Sequence, residues 1–240
     1  MSRRSRLEAR RNRGLARPGP VNTRTVNLAS VSSRPGKVVD ILTATLAPGL
    51  LTNDLILAVE CGDLTIRDHV DPSVWQVVQF GRSLSDEGER VARSGCALIA
   101  RRNVVLLEKP RLRVGSEAGE GIRTRYVLTA RATFHRGDPS SWRAWVRVGH
   151  APPPRAPIGR GRFLDLLREL TGIRGGDLNV SAETARDRFR LARVHSAGVM
   201  HLLTPRWIRT SDPRRVDVGS DHAALDVTLW PRHTTDEATP

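Results

Sequence analysis

The sequence predicts an α/β fold built on mixed sheets, on three observations. It opens with a strand–helix–strand unit, continues through a run of hairpin-like strands, and closes with a second set of helices and strands. The 240 residues carry 39% hydrophobic and 27% charged side chains, which fits one sizeable globular domain rather than a disordered chain.

The opening strand is Arg24 to Ser30, a short β-rich segment bounded by turn residues. Val38, Val39, Ile41, Leu42 and Leu46 then recur at helical spacing, with Ser33 and Pro35 as start signals and Pro48-Gly49 as the stop. Leu55 to Val59 is a continuous apolar run of strand length, expected where both faces of a sheet are covered. Trp75–Phe80, Cys96–Ala100, Val104–Leu107, Tyr126–Phe134 and Trp142–Val148 read as further strands, joined by turns that suggest antiparallel hairpins. After a proline-rich loop, Phe163, Leu164, Leu166, Leu167 and Leu170 mark the inner face of an amphipathic helix. A second helix is predicted over Ala182–Val194, and strands near Val199–Leu203 and Ala224–Leu229. Residues 1–20 read as a disordered basic arm, 21–231 as one domain and 232–240 as a flexible tail.

No stretch reaches the roughly 20 apolar residues of a membrane span, and the arginine-rich start lacks the apolar segment of a secretory signal. Cys61 and Cys96 are too few for a disulfide framework, so a reducing, cytoplasmic location is expected and both read as small buried residues. The formal net charge is +14 and almost entirely arginine, since Lys37 and Lys109 are the only lysines. Attraction to nucleic acid or another polyanion is one source of that balance; a GC-rich coding genome is the other.

Several polar residues stand where apolar strands end, the place where open α/β sheets gather functional groups. Asn27 lies in the first strand, Glu60 ends the second and His150 ends the segment Trp142–Gly149. Asp177 and Asn179 follow Gly172-Ile173-Arg174, and Asp221-His222 precede the last strand. Carboxylates of this kind hold a magnesium ion, while amide and imidazole donors stabilise the transition state of phosphoryl chemistry.

Glu60 after Asp54-Leu-Ile-Leu-Ala-Val59, then His150, Gly176-Asp177-Leu178-Asn179 and Ser220-Asp221-His222 resemble the ordered motifs of the endonuclease/exonuclease/phosphatase superfamily. The resemblance runs from about Thr25 to Leu229 and implies a DNase-I-like fold, a two-sheet α/β sandwich of mixed sheets flanked by helices. It also implies metal-dependent hydrolysis of phosphodiesters with Mg²⁺ or Mn²⁺, a nuclease with nucleic acid as substrate. A phosphatase or phospholipase-like enzyme on a small or lipid phosphoester, and a non-catalytic nucleic-acid-binding member, are the alternatives. Carried over, Glu60 would be the principal metal ligand, with Asn27 beside it and Asp221 assisting. Asp177 would deprotonate the attacking water and Asn179 would help hold it. His150 and His222 would face the scissile phosphate.

One position departs from the family pattern. The strand before Ser220-Asp221-His222 usually carries an acid that fixes the catalytic histidine, and here Met200 stands there. Asp212 or Asp217 could substitute from the loop. Among the tryptophans, Trp207 sits between arginines but is read as core packing.

Overall fold

A computed structural model of the chain describes residues 19–28, 35–47, 53–61, 64–80, 95–119, 121–135, 138 and 140–231. The expected arm and tail therefore lie, apart from Gly19 and Pro20, outside the described residues. Two mixed sheets pack face to face. The first has seven strands in the order β11-β13-β1-β2-β4-β3, with β12 also paired to β13. Its elements are β1 (Val21–Asn27), β2 (Leu55–Val59), β3 (Trp75–Phe80), β4 (Cys96–Arg101), β11 (Ile208–Thr210), β12 (Arg214–Val216) and β13 (Ala224–Pro231). The second has six in the order β5-β6-β7-β8-β10-β9. They are β5 (Val105–Ser116), β6 (Arg125–Phe134), β7 (Trp142–Gly149), β8 (Ile173–Asp177), β9 (Ala192–Ala197) and β10 (Met200–Pro205).

Among the described strands each sheet contains one parallel pair, and a parallel pair needs a crossover. Helix α1 (Pro35–Leu46) joins β1 to β2, and α2 (Pro157–Glu169) joins β7 to β8. Both helices lie outside, because the inner face of each sheet is taken by the other sheet. The alternation along β2 shows this. Leu55, Leu57 and Val59 join Val146, Val148 and Ala130 between the sheets, while Ile56 and Ala58 pack under Val38, Ile41 and Leu42 of α1. On the far side, Phe163, Leu164 and Leu167 of α2 cover Val127 and Leu203.

Two polar devices fix the outer layers. Arg24 and Asp226 face each other in the β1/β13 register and form a buried bidentate pair at 2.6 and 2.7 Å, and Arg24 also donates to the Thr45 carbonyl near the end of α1. Arg174 donates from Nη1 to the carbonyls of Leu167 and Leu170, satisfying acceptors at the C-terminus of α2.

Several parts of the structure depart from the expectations of the sequence. The second helix, α3 (Ala182–Arg188), begins at a Ser181 cap whose side chain accepts from the Thr184 N–H, and it ends six residues before Val194. The chain then enters β9, which turns through Gly198 and Val199 into β10. Strand β5 runs well past Leu107 because Lys109, at φ 50°, and Pro110 form a bulge rather than an end. A proline is tolerated there because β5 is the edge of its sheet. Trp207 is 45% exposed and meets Trp142 edge-on at 6.0 Å, so it lies outside the core. Among the described residues no helix is long and apolar enough to cross a membrane.

Candidate active site

Topology alone brings the strand-end residues together. In the β1/β2 register Asn27 is level with Val59, so Glu60 follows at the same edge. In β7/β8, Val148 is level with Gly175, which places His150 beside Asp177; the Ala151 N–H donates to the Asp177 carbonyl at 2.8 Å. Strand β13 runs antiparallel to β1, so Asp221 and His222, just before its start, reach this edge too.

The carboxylate of Asp177 is the centre of the cluster and is 1% exposed. Its Oδ1 accepts from the Asn179 N–H at 2.9 Å. Around Oδ2 stand Asn27 Nδ2 at 3.5 Å, His222 Nε2 at 3.5 Å and His150 Nε2 at 3.9 Å. Burial raises the Asp177 pKa, opposed by the Asn179 N–H, His222 and Asn27. The turn after Asp177 is held by Asn179, at φ 51°, whose Nδ2 donates to the Ala151 carbonyl at 2.8 Å. Its own carbonyl accepts from Arg160 at 3.1 Å. The amide nitrogen of Asn179 thus ties the Asp177 turn to the His150 strand end.

His150 lies between the two acids. Its Nδ1 is 3.6 Å from Glu60 Oε1 and 3.4 Å from Arg125 Nη1. An arginine can only donate, so in the tautomer that accepts from Arg125 at Nδ1 the proton of the neutral ring sits on Nε2, facing Asp177. Burial lowers the His150 pKa to about 3, with Arg125 and His222 adding to the effect. The ring is therefore neutral at neutral pH. Asp221 and His222 lie nearer solvent, where the Ser220 hydroxyl donates to Asp221 Oδ1 at 3.1 Å.

The site thus gathers Asn27, Glu60, His150, Asp177, Asn179 and His222 at one edge, with Asp221 at its rim. It also contains Arg125, which no motif in the sequence singles out. Burial lowers the Arg125 pKa, while Cys96, Glu60 and Asp177 hold it up. Met200 is level with Asp177 in the β8/β10 register, and its side chain is fully buried in the apolar cluster between the sheets. The carboxylate beside His222 is that of Asp177, whereas Asp217 Oδ1 accepts from the Gly219 N–H at 2.8 Å. Both cysteines are buried free thiols with pKa values raised by burial, that of Cys96 to about 12, which leaves neither an anionic nucleophile nor a metal ligand.

Among the described residues, no three acidic, imidazole or thiol groups converge as a self-sufficient metal cage. The donor set still suits a magnesium-type ion, which binds through one or two protein oxygens plus water and substrate phosphate. Glu60 supplies a hard carboxylate 8% exposed at the strand edge, with the Asn27 amide on the neighbouring strand end.

No protein-family profile matches the sequence, and no curated protein matches it. Solved structures do match. An endonuclease/exonuclease/phosphatase family protein of Bacteroides thetaiotaomicron superposes with a TM-score of 0.72 at 13% identity, covering 90% of this chain and 99% of that one. A mannosyl-6-phosphatase of the same organism gives 0.67 at 14% identity, covering 87% and 99%. D. rerio TDP2 complexed with a single-strand DNA product gives 0.65 at 11% identity, covering 88% and 99%. The resemblance seen in the sequence is matched in three dimensions, and the chain has the DNase-I-like fold of the endonuclease/exonuclease/phosphatase superfamily.

Proposed function

We propose that this chain is a divalent-metal-dependent phosphoesterase that cleaves nucleic-acid phosphodiesters. The observation that carries the reading is the convergence of three nitrogen donors on one carboxylate oxygen, Asp177 Oδ2, beside Glu60 at the ends of the central strands.

Glu60 and Asn27 would hold the ion, with Asp221 at the rim. When bound, Mg²⁺ or Mn²⁺ supplies positive charge to a phosphate oxygen. Asp177 accepts the proton of the attacking water at Oδ2, and its raised pKa makes it a stronger base than a solvated carboxylate. Asn27 and the Asn179 N–H fix the orientation of that carboxylate. His150, neutral and protonated on Nε2, donates to a non-bridging oxygen. His222, 37% exposed at its side chain, donates from the open side or protonates the leaving oxygen. Arg125 adds a fixed positive charge behind His150.

A plasmid-nicking assay with and without EDTA, run beside a phosphate monoester, tests the reading. Nicking that EDTA abolishes is expected, and Asp177→Asn should lower it by a factor of about 10² or more, since an amide cannot take the proton. Full EDTA-sensitive nicking by Asp177→Asn would remove Asp177 from the role of base. Hydrolysis of the monoester alone would replace the nuclease assignment with a phosphatase.

A further inference from the structure

A second cluster of charge lies on the outer face of the six-stranded sheet, away from the strand ends that carry Asp177. Arg168, Arg174, Arg188 and Arg190, with Asp187, Phe189, Leu191 and Ala192, line a pocket of about 350 Å³ between the C-terminal ends of α2 and α3. Arg174 is 7% exposed; its Nη1 is used by the helix carbonyls and its guanidinium lies over the Phe189 ring at 5.9 Å, but its Nε has no hydrogen-bond partner among the described residues. Arg147 is level with it on β7, 6% exposed and over the Trp145 ring at 5.7 Å, with neither Nε nor Nη1 hydrogen-bonded among the described residues. Burial lowers both guanidinium pKa values to about 10, and Arg147 is pushed down further by Arg174 and Arg113.

Buried like charges side by side are costly unless an anion offsets them. The acids nearby do not suffice. Asp165 pairs with Arg168 at 3.2 Å and Arg188 at 2.9 Å, and Asp187 is the one acid among the described residues of the lining, so the lining arginines outnumber these two acids two to one. Arg188 Nε is also buried without a partner among the described residues. Planar guanidinium groups match the oxygens of a phosphate in bidentate fashion. Phe189 and Leu191 add an apolar wall, and Leu191 is 89% exposed.

We propose that this pocket binds the phosphate group of a small phosphoester, at a site separate from the candidate active site. The phosphate sits against Arg174 and is closed in by Arg168, Arg188 and Arg190. The remainder of the ligand lies along Phe189 and Leu191.

The test is titration calorimetry of the full chain with inorganic pyrophosphate in EDTA. The wild type, the double variant Arg168→Ser/Arg190→Ser, Arg174→Gln and Asp177→Asn are compared. Arg168 and Arg190 are exposed, so their replacement leaves the fold intact even if loss of the Arg174 cap does not. At least a tenfold loss of affinity in the double variant, with Asp177→Asn unchanged, is expected. No binding by the wild type, equal affinity in the double variant, or loss confined to Asp177→Asn would each overturn the proposal. A short single-stranded oligonucleotide is titrated in parallel. If its binding falls in the pocket variants, the phosphate comes from a strand and the small-phosphoester assignment is overturned; if it is unaffected, the free phosphoester stands as the source. Because the readout is binding without metal, its failure is distinct from failure of the hydrolysis assay.

Discussion

Burial sets the protonation of His150 before any substrate arrives, and that has a consequence for stability. With a folded pKa of about 3 against an ordinary 6.5, the unfolded chain binds one more proton than the folded chain between those values. Stability is therefore full above pH 6.5 and falls as pH drops toward 3, by up to about 1.4 kcal/mol per pH unit from this residue. Chemical denaturation of the wild type and His150→Gln at pH 7 and pH 5 isolates it. The wild type should lose about 2 kcal/mol more than the variant over that interval; equal losses would mean that His150 titrates as a solvated histidine. Glu60 makes a second residue-level prediction. Glu60→Gln keeps the shape at φ 53° and removes the hard anion, so Mn²⁺ affinity measured by calorimetry should fall at least tenfold with the fold unchanged. Retained affinity would place the ion elsewhere. These residues were legible in the sequence because each closes an apolar strand. Arg125 was not: it starts β6, and it meets His150 only through the antiparallel β6/β7 register, which no local pattern encodes. The partner of His222 was hidden for the same reason, since Asp177 lies far from it in sequence and Asp217 close by.

At the scale of elements, the site depends on how closely β7 and β8 approach. Gly176 has φ 135°, and a Cβ there would overlap the Gly149 carbonyl oxygen, which belongs to the neighbouring backbone and cannot swing away. This glycine lets Asp177 and His150 stand side by side. Gly176→Ala should cost about 3 kcal/mol or more in urea denaturation, through strain and the forced separation of two strands. If the variant is as stable as the wild type, the tight β7/β8 approach is not what positions the pair. The long apolar and alternating runs announced β1, β2, β3, β4, β6, β7, β10 and β13 and the two covering helices. The hairpin β9–β10 did not announce itself, because Phe189, Leu191 and Val194 also fit a continued helix. The choice is made by pairing, with Ala192 to Ala197 laid against Pro205 to Met200. The bulge at Lys109-Pro110 likewise looks like a strand end until the edge position of β5 is known.

For the whole molecule, the balance of +14 admits two origins that make different demands on solution behaviour. If the arginines serve nucleic acid, binding must release counterions, and the logarithm of affinity must fall linearly with the logarithm of salt. Asp177→Asn in EDTA, where cleavage should be suppressed, allows this to be measured on an intact single strand between about 50 and 200 mM KCl. Each phosphate neutralised contributes a slope of about −0.7 on single strands, so a steep slope counts the arginines engaged. Residues 1–18 hold seven arginines against one glutamate, and this segment lies outside the described residues. Removing it separates the contribution of the arm from that of the sandwich. If the arm contributes contacts, its deletion should flatten the slope by about 0.7 for each one lost while leaving EDTA-sensitive nicking at low salt in place. An unchanged slope would confine binding to the sandwich. An affinity indifferent to salt in the full chain would mean that the arginine content reflects coding composition, and the nucleic-acid assignment would then rest on the active-site edge alone.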